Sequence, residues 1–311
     1  MKRPLWFGLA VLVVALVGVV AFQQLRSPAE NPTASPRPEP TEEPTASPGE
    51  PVIVLAAGDI ASCTNDNDEA TAKILDQYPA ATILTLGDNV YDSGKITEYQ
   101  NCFEPTWGRH KARMRPAIGN HDYGTAGGRD YFTYFGLTKP SYYSFNLGNW
   151  HFVALDSNCS IVSCAKGSEQ ETWLRADLAA NQDKKCTAAY MHHPRFSSGT
   201  HGNYEKVGSL WETLYEFDTD LVLAGHDHTY ERIAPLKPDG YVDNTRGMRS
   251  FIVGTGGKSL YQFKDIVYGS ERRNNSDYGI LKLSLADNSY TWEFLPIAGS
   301  TFTDSGSGLC H

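Results

Sequence analysis

From Val52 onward, short apolar runs alternate with amphipathic stretches and polar turns. Val52 to Ala57, Ala80 to Leu86, Ala188 to Met191 and Leu221 to Ala224 run with little polar interruption, the pattern of strands covered on both faces in a parallel sheet. Apolar residues recurring every three or four positions predict helices over Asp68 to Gln77, Ser168 to Ala180 and Tyr204 to Phe217, each between two predicted strands. Tyr142 to Leu147, His151 to Asp156, Arg249 to Val253, Tyr278 to Leu285 and Ser289 to Leu295 are β-rich, joined by tight turns such as Asp287-Asn288. These elements predict an α/β (α+β, four-layer) fold, with a two-sheet β-sandwich core flanked by helices.

The chain has 311 residues, 41% hydrophobic and 20% charged, enough apolar material for one large core. One catalytic-sized domain over residues 52–311, preceded by appendages, is the expected organisation. Residues 1–26 carry a membrane-insertion signal: Lys2-Arg3, then eighteen uncharged residues from Leu5 to Phe22. The basic pair belongs on the cytoplasmic side, which puts everything after the run outside. A retained anchor and a signal peptide cleaved near Val19-Val20-Ala21 both fit. Residues 27–51 form a Pro-rich disordered linker, with eight prolines between Pro28 and Pro51 and no large apolar residue. Such a spacer reaches up to about 75 Å at ~3.1 Å per residue. The expected location is extracellular or at the cell surface, with membrane contact through the N-terminal segment if it is uncleaved.

Six cysteines follow the export signal, at Cys63, Cys102, Cys159, Cys164, Cys186 and Cys310. An even number in an oxidising compartment reads as disulfides. Fifteen connectivities are open to six cysteines, so sequence does not fix the pairing. Cys63 with Cys102, Cys159 with Cys164 and Cys186 with Cys310 is the pairing expected here. The rival, a thiolate metal site, lacks any C-x-x-C spacing. A net charge of −9 argues against nucleic acid as a partner. A small phosphate ester is compatible with it, because a bound cation reverses the local field.

The informative chemistry lies directly after the strands. Gly58-Asp59, Gly87-Asp88 and Gly119-Asn120-His121-Asp122 follow apolar runs in the first half, and His192-His193-Pro194 and Gly225-His226-Asp227-His228 do so in the second. Sites in open α/β sheets form outside the carboxyl ends of strands, so these five loops can meet although they lie far apart in sequence. The glycines are expected to let the chain turn sharply there. Taken singly, an Asp or His in such a loop is more often a turn residue than a ligand; the joint arrangement is what points to metal. Oxygen and nitrogen donors of this kind suit Fe, Mn and Zn. They exceed the needs of one cation with an open position, and two cations sharing one Asp use them all.

The five blocks Gly58-Asp59-Ile60-Ala61, Gly87-Asp88-Asn89-Val90-Tyr91, Gly119-Asn120-His121-Asp122, Ala189-Tyr190-Met191-His192 and Gly225-His226-Asp227-His228 resemble, in order and spacing, those of the calcineurin-like metallophosphoesterases. Tyr91, four residues after Gly87, is similar to the purple acid phosphatase branch, whereas Ala61 stands where that branch usually has Gly. The resemblance implies that Asp59, Tyr91 and His228 hold a first metal, Asn120, His192 and His226 a second, and that Asp88 bridges them. It also implies Fe(III) at the Tyr91 site and Fe, Zn or Mn at the other. His121 is expected to face substrate, and His201, nine residues after His192, lies where the branch often has a histidine near the leaving group; either could donate a proton. Between His192 and His193 the motif selects His192, and strand alternation sends its neighbour the opposite way.

Other residues read as structural. His110, His151 and His311 are expected to be surface or internally satisfied, Asp227 to be a supporting or turn residue, and Asp122 to orient His121. Glu231-Arg232 is expected to form a pair. Gly254-Thr255-Gly256-Gly257 lacks the Lys-Ser/Thr of a phosphate loop and reads as a turn after a strand, and Tyr131, Phe132, Tyr134 and Phe135 read as core or pocket wall. The leading expectation is an exported, monomeric binuclear phosphatase that cleaves small phosphoric monoesters with a metal-bound hydroxide. Two alternatives stay open: a phosphodiesterase on the same centre, and an inactive cell-wall-associated binding protein, which predicts damaged ligand positions.

Overall fold

A computed structural model describes residues 51–311; the predicted signal or anchor and the Pro-rich linker lie outside the described residues. Fifteen strands are present in them: β1 Val52–Ala57, β2 Ala61–Ser62, β3 Thr82–Leu86, β4 Val90–Tyr91, β5 Met114–Ala117, β6 Tyr143–Leu147, β7 Trp150–Ala154, β8 Cys186–Met191, β9 Leu221–Ala224, β10 Tyr230–Leu236, β11 Met248–Val253, β12 Ser270–Asn274, β13 Gly279–Leu285, β14 Ser289–Pro296 and β15 Ser305–Leu309. The α-helices are α1 Asn67–Asp76, a single turn α2 Ile96–Glu98, α3 Arg129–Phe135, α4 Glu169–Ala180 and α5 Gly208–Glu216. None of these helices is long and apolar enough to cross a membrane.

One sheet runs β15-β14-β13-β1-β3-β5 and the other β12-β10-β11-β9-β8-β7-β6. Pairing is parallel for β1–β3 and β3–β5 in the first sheet, and for β7–β8, β8–β9 and β9–β11 in the second. Antiparallel strands close the flanks. Alternation along the second sheet sorts its side chains between two cores. Ala188, Tyr190, Leu221, Leu223, Phe251 and Val253 join Val54, Leu84 and Leu281 of the first sheet in the inner core. Ala189, Met191, Val222 and Ile252 face outward onto Leu174 and Leu178 of α4 and Leu210, Trp211 and Leu214 of α5. Period-2 side-chain alternation makes this two-sided burial possible, and it explains why these strands read as unbroken apolar runs.

Ser168 caps α4, its Oγ accepting from the Glu171 N–H, with Glu169 and Glu171 in the first turn where the helix dipole favours negative charge. The predicted helix over Tyr204 to Phe217 is shorter: residues Glu205–Val207 make a 3-10 turn and α5 begins at Gly208. Disulfides join Cys63 to Cys102, Cys159 to Cys164 and Cys186 to Cys310, leaving no free cysteine. Glu231 and Arg232 do not pair with each other, because neighbouring strand residues point to opposite faces. Glu231 instead accepts from Ser198 and Ser270, while Arg232 pairs with Asp304 and Glu271. Tyr131, Phe132 and Tyr134 are buried, as expected for core, but on a helix, α3.

Candidate metal centre

The parallel strands of both sheets end on one spot. Asp59 follows β1, Asp88 follows β3, Asn120 follows β5, His192 follows β8, and His226 and His228 follow β9. Tyr91 is brought in by the short parallel pairing of β2 with β4, Ser62 opposite Tyr91. The sharp turns are made at the functional residues: Asp59, Asp88 and His226 have φ of 58°, 47° and 70°. Left-handed backbone at a non-glycine residue costs on the order of 1 kcal/mol or more and is retained where the surroundings enforce it. Gly87 makes the expected sharp turn, with φ of 81°, whereas Gly58, Gly119 and Gly225 serve close approach instead. A Cβ at Gly119 would collide with the backbone N and Oδ1 of Asp88, and one at Gly225 would lie 2.7 Å from Asp59 Oδ2.

Two groups of donor atoms meet at Asp88. In the first, the Tyr91 hydroxyl donates to Asp59 Oδ1 at 2.8 Å and lies 3.0 Å from Asp88 Oδ2 and 3.1 Å from His228 Nε2. In the second, His192 Nε2 lies 3.3 Å from Asp88 Oδ2, 3.1 Å from Asn120 Oδ1 and 3.2 Å from His226 Nδ1. Outer partners fix two rings: His192 Nδ1–H donates to the Leu86 carbonyl at 2.9 Å and His228 Nδ1–H to that of Ser259 at 2.7 Å. Each therefore turns its Nε2 lone pair inward. Asp59 also accepts the His226 backbone N–H, and Asp88 Oδ1 that of His121.

Electrostatics agree with a cation centre. Asp59 and Asp88 are buried, with 0% and 2% exposure. Burial drives the His192 proton off, but the carboxylates of Asp88 and Asp59 reverse this and raise it to about 9. Burial likewise opposes ionisation of Asp88, and His192 and His121 hold its carboxyl well below the ordinary range. His226 is pushed far down by burial and by the imidazoles of His192, His193 and His201, so its lone pairs are available. Burial and the two carboxylates push the Tyr91 phenol well above 10. Without a cation, the cluster balances its negative charge with protons on His192 and Tyr91, and both protons sit where a cation would replace them. Carboxylate, imidazole and phenol donors within 4 Å fit hard or borderline cations.

His121 is half-exposed beside the cluster, its Nδ1–H donating to the Asp92 carbonyl at 2.6 Å and its Nε2 4.0 Å from Asp88 Oδ2. Asp122 does not orient it. The Asp122 carboxylate accepts from Gly119 N–H, Asn89 and Tyr99, bracing the Asp88 and Asn120 loops. His201 stands exposed, its ring 4.3 Å from that of His226 and its N–H donating to Asp227 Oδ1, which gives Asp227 its supporting role. His193 does not leave the site: its ring lies 4.3 Å from His226, stacks on Tyr204 and bonds Ser157 Oγ through Nδ1. His110, His151 and His311 pair with Asp76, Asp177 and Asp220, away from the site. The Gly254–Gly257 stretch packs its backbone against Gly58 and Asp59. Sequence reading missed Tyr261, which stacks on His228 at 3.9 Å, and no motif marks it.

Residues 52–230 match the calcineurin-like phosphoesterase family, more than half of the chain. An uncharacterized protein of Mycobacterium tuberculosis is 32% identical over 192 residues, 48% of this chain and 36% of that protein. Purple acid phosphatase 15 of Arabidopsis thaliana is 38% identical over 104 residues, 31% of this chain and 19% of that one. The chain thus spans about a third or less of these two relatives' length. Among solved structures, purple acid phosphatase PPD1 from yellow lupin seeds superimposes with a TM-score of 0.68 at 19% identity, over 82% of this chain and 53% of that one. GAP50, titled the anchor in the inner membrane complex of Plasmodium, gives 0.68 at 16% identity, over 84% and 90%. These two show the same fold. With the family match spanning five loops that converge at the strand ends, the chain belongs to the calcineurin-like phosphoesterase family, in its purple acid phosphatase-like branch.

Proposed function

We propose that this chain hydrolyses phosphoric monoesters outside the cytoplasm, at two cations held by Asp59, Tyr91 and His228 on one side and Asn120, His192 and His226 on the other. Asp88 is shared. The observation that carries the reading is Asp88 Oδ2, which lies 3.0 Å from the Tyr91 hydroxyl and 3.3 Å from His192 Nε2, so one carboxylate oxygen belongs to both donor groups. A phenol in the first group favours Fe(III) there, with Fe, Zn or Mn in the second. When bound, such cations supply Lewis acidity, neutralising phosphoryl charge and making water nucleophilic near neutral pH.

The protein's own groups do the rest. His121 is oriented by the Asp92 carbonyl, so its other ring nitrogen faces the cluster and can hold or pass a proton near the phosphoryl oxygens. His201, exposed beside His226, is positioned to protonate the leaving oxygen. Three disulfides support an oxidising location, which suits the export expected from the N-terminal sequence, and the enzyme is proposed to act as a monomer. The test is hydrolysis of p-nitrophenyl phosphate against bis(p-nitrophenyl) phosphate by metal-loaded protein and by Asp88→Ala. Monoester turnover should dominate and vanish in the variant together with bound metal. Turnover confined to the diester would assign phosphodiesterase chemistry instead.

A further inference from the structure

The loop after β11 is clasped to both sides of the centre. The Lys258 N–H donates to the Asp59 carbonyl, and the Tyr261 N–H to that of His228. The Lys264 N–H donates to the Ser198 carbonyl, and the Thr200 hydroxyl to that of Gln262. Asn275 Nδ2 in turn donates to the Tyr261 carbonyl at 3.1 Å. The loop therefore ties the segment leading to His201 to the segment carrying His228, with Tyr261 between them.

The ring of Tyr261 lies nearly parallel to that of His228, 3.9 Å away at 11°, and meets His201 edge-on at 5.5 Å and 65°. His201 also packs at 4.3 Å against His226. Its backbone N–H is held by Asp227. An exposed imidazole with a fixed backbone still has free side-chain rotation, and rings on two sides restrict it. Edge-to-face is a preferred arrangement of ring pairs at this separation, so the contact favours one ring orientation over others.

We infer that Tyr261 is a positioning residue: it holds the His201 imidazole toward the leaving oxygen, so that His201 protonates poor leaving groups. The inference rests on the proposed phosphatase reading. In that step the ester P–O bond breaks and its electron pair passes to the leaving oxygen, which takes the imidazole proton. The oxygen of water forms the new P–O bond and its proton goes to solvent, giving alcohol and inorganic phosphate. His201 regains its proton from solvent. Aryl esters with good leaving groups need little of this help, and alkyl esters need it most.

The experiment compares wild type, Tyr261→Ala, Tyr261→Phe, His201→Gln and the His201→Gln/Tyr261→Ala double variant in metal-loaded protein, on p-nitrophenyl phosphate and on an alkyl phosphate. Tyr261→Ala should lose about tenfold or more in kcat on the alkyl ester and less than about threefold on the aryl ester. Tyr261→Phe should recover most of that loss. Adding Tyr261→Ala to His201→Gln should cost nothing further. In metal-free protein, the His201 ring proton resonances, assigned by their loss in His201→Gln, should move in Tyr261→Ala and stay in Tyr261→Phe. Equal losses on both esters, additive losses in the double variant, or a drop in metal content of Tyr261→Ala would overturn the inference. If His201→Gln itself slows both esters alike, the proton-donor reading of His201 fails and the inference with it. Absence of any turnover in wild type would sink the phosphatase reading on its own.

Discussion

Replacing Asp88 by Asn keeps the shape of the centre and removes the charge that both donor groups share. In the metal-free protein Asp88 is the chief support of the His192 proton, raised from 6.5 to about 9. His192 is fully buried, so that elevation corresponds to about 3 kcal/mol of native-state stability. A histidine whose folded pKa is raised contributes its full stabilisation below the unfolded value. That contribution is lost as pH rises through the folded one. Metal-free wild type should therefore lose about 3 kcal/mol between pH 6.5 and 9, through this group. In Asp88→Asn the burial of His192 is unopposed by its nearest carboxylate, so most of the slope should vanish. Urea unfolding of chelator-treated protein at pH 6, 7.5 and 9 reads the difference, and elemental analysis of reloaded protein should find fewer than two cations per chain. An Asp88→Asn protein with the wild-type pH slope and two tightly held cations would refute the reasoning.

Three further outcomes follow from the geometry. Gly119→Ala should lose bound metal, because the added methyl group collides with Asp88, and elemental analysis reads this directly. Iron-loaded wild type should show a visible tyrosinate absorption, and Tyr91→Phe should bind iron without it, with its circular dichroism unchanged. Removing the Cys186–Cys310 disulfide, which closes 124 residues of chain, by Cys186→Ala/Cys310→Ala should lower unfolding free energy by about 2–5 kcal/mol in urea titration.

What sequence reveals here depends on where each element sits. β1, β8 and β9 are central strands, β8 and β9 parallel to both neighbours and β1 to one, so both faces are apolar and the runs are plain; the loops after them carry polar residues that the hydrophobic pattern makes conspicuous. β12 and β15 are edge strands, and their sequences SERRN and SGSGL show no apolar face. Lone edges are held by pairing and by partners such as Glu271 with Arg232 and Arg249, which leave no period in the sequence. Apart from Asp130 the buried residues of α3 are aromatic, and the helix lies between Gly128 and Gly136, so it reads as core and not as helix. At the centre, the metal-ligand candidates were legible because they share a position relative to strand ends. Their supports were not: Asp122 bonds Asn89 across 33 positions, and Tyr261 reaches His228 from another loop. His193 was read as pointing away, but the chain has left β8 by then and strict alternation no longer applies.

The most direct test is an anomalous difference map of metal-loaded crystals, collected at the iron edge and at the edge of the second metal. Two peaks about 3.5–4 Å apart, one on each side of Asp88 and the iron peak beside Tyr91, are the predicted result. One peak, or peaks away from Asp88, would contradict the account.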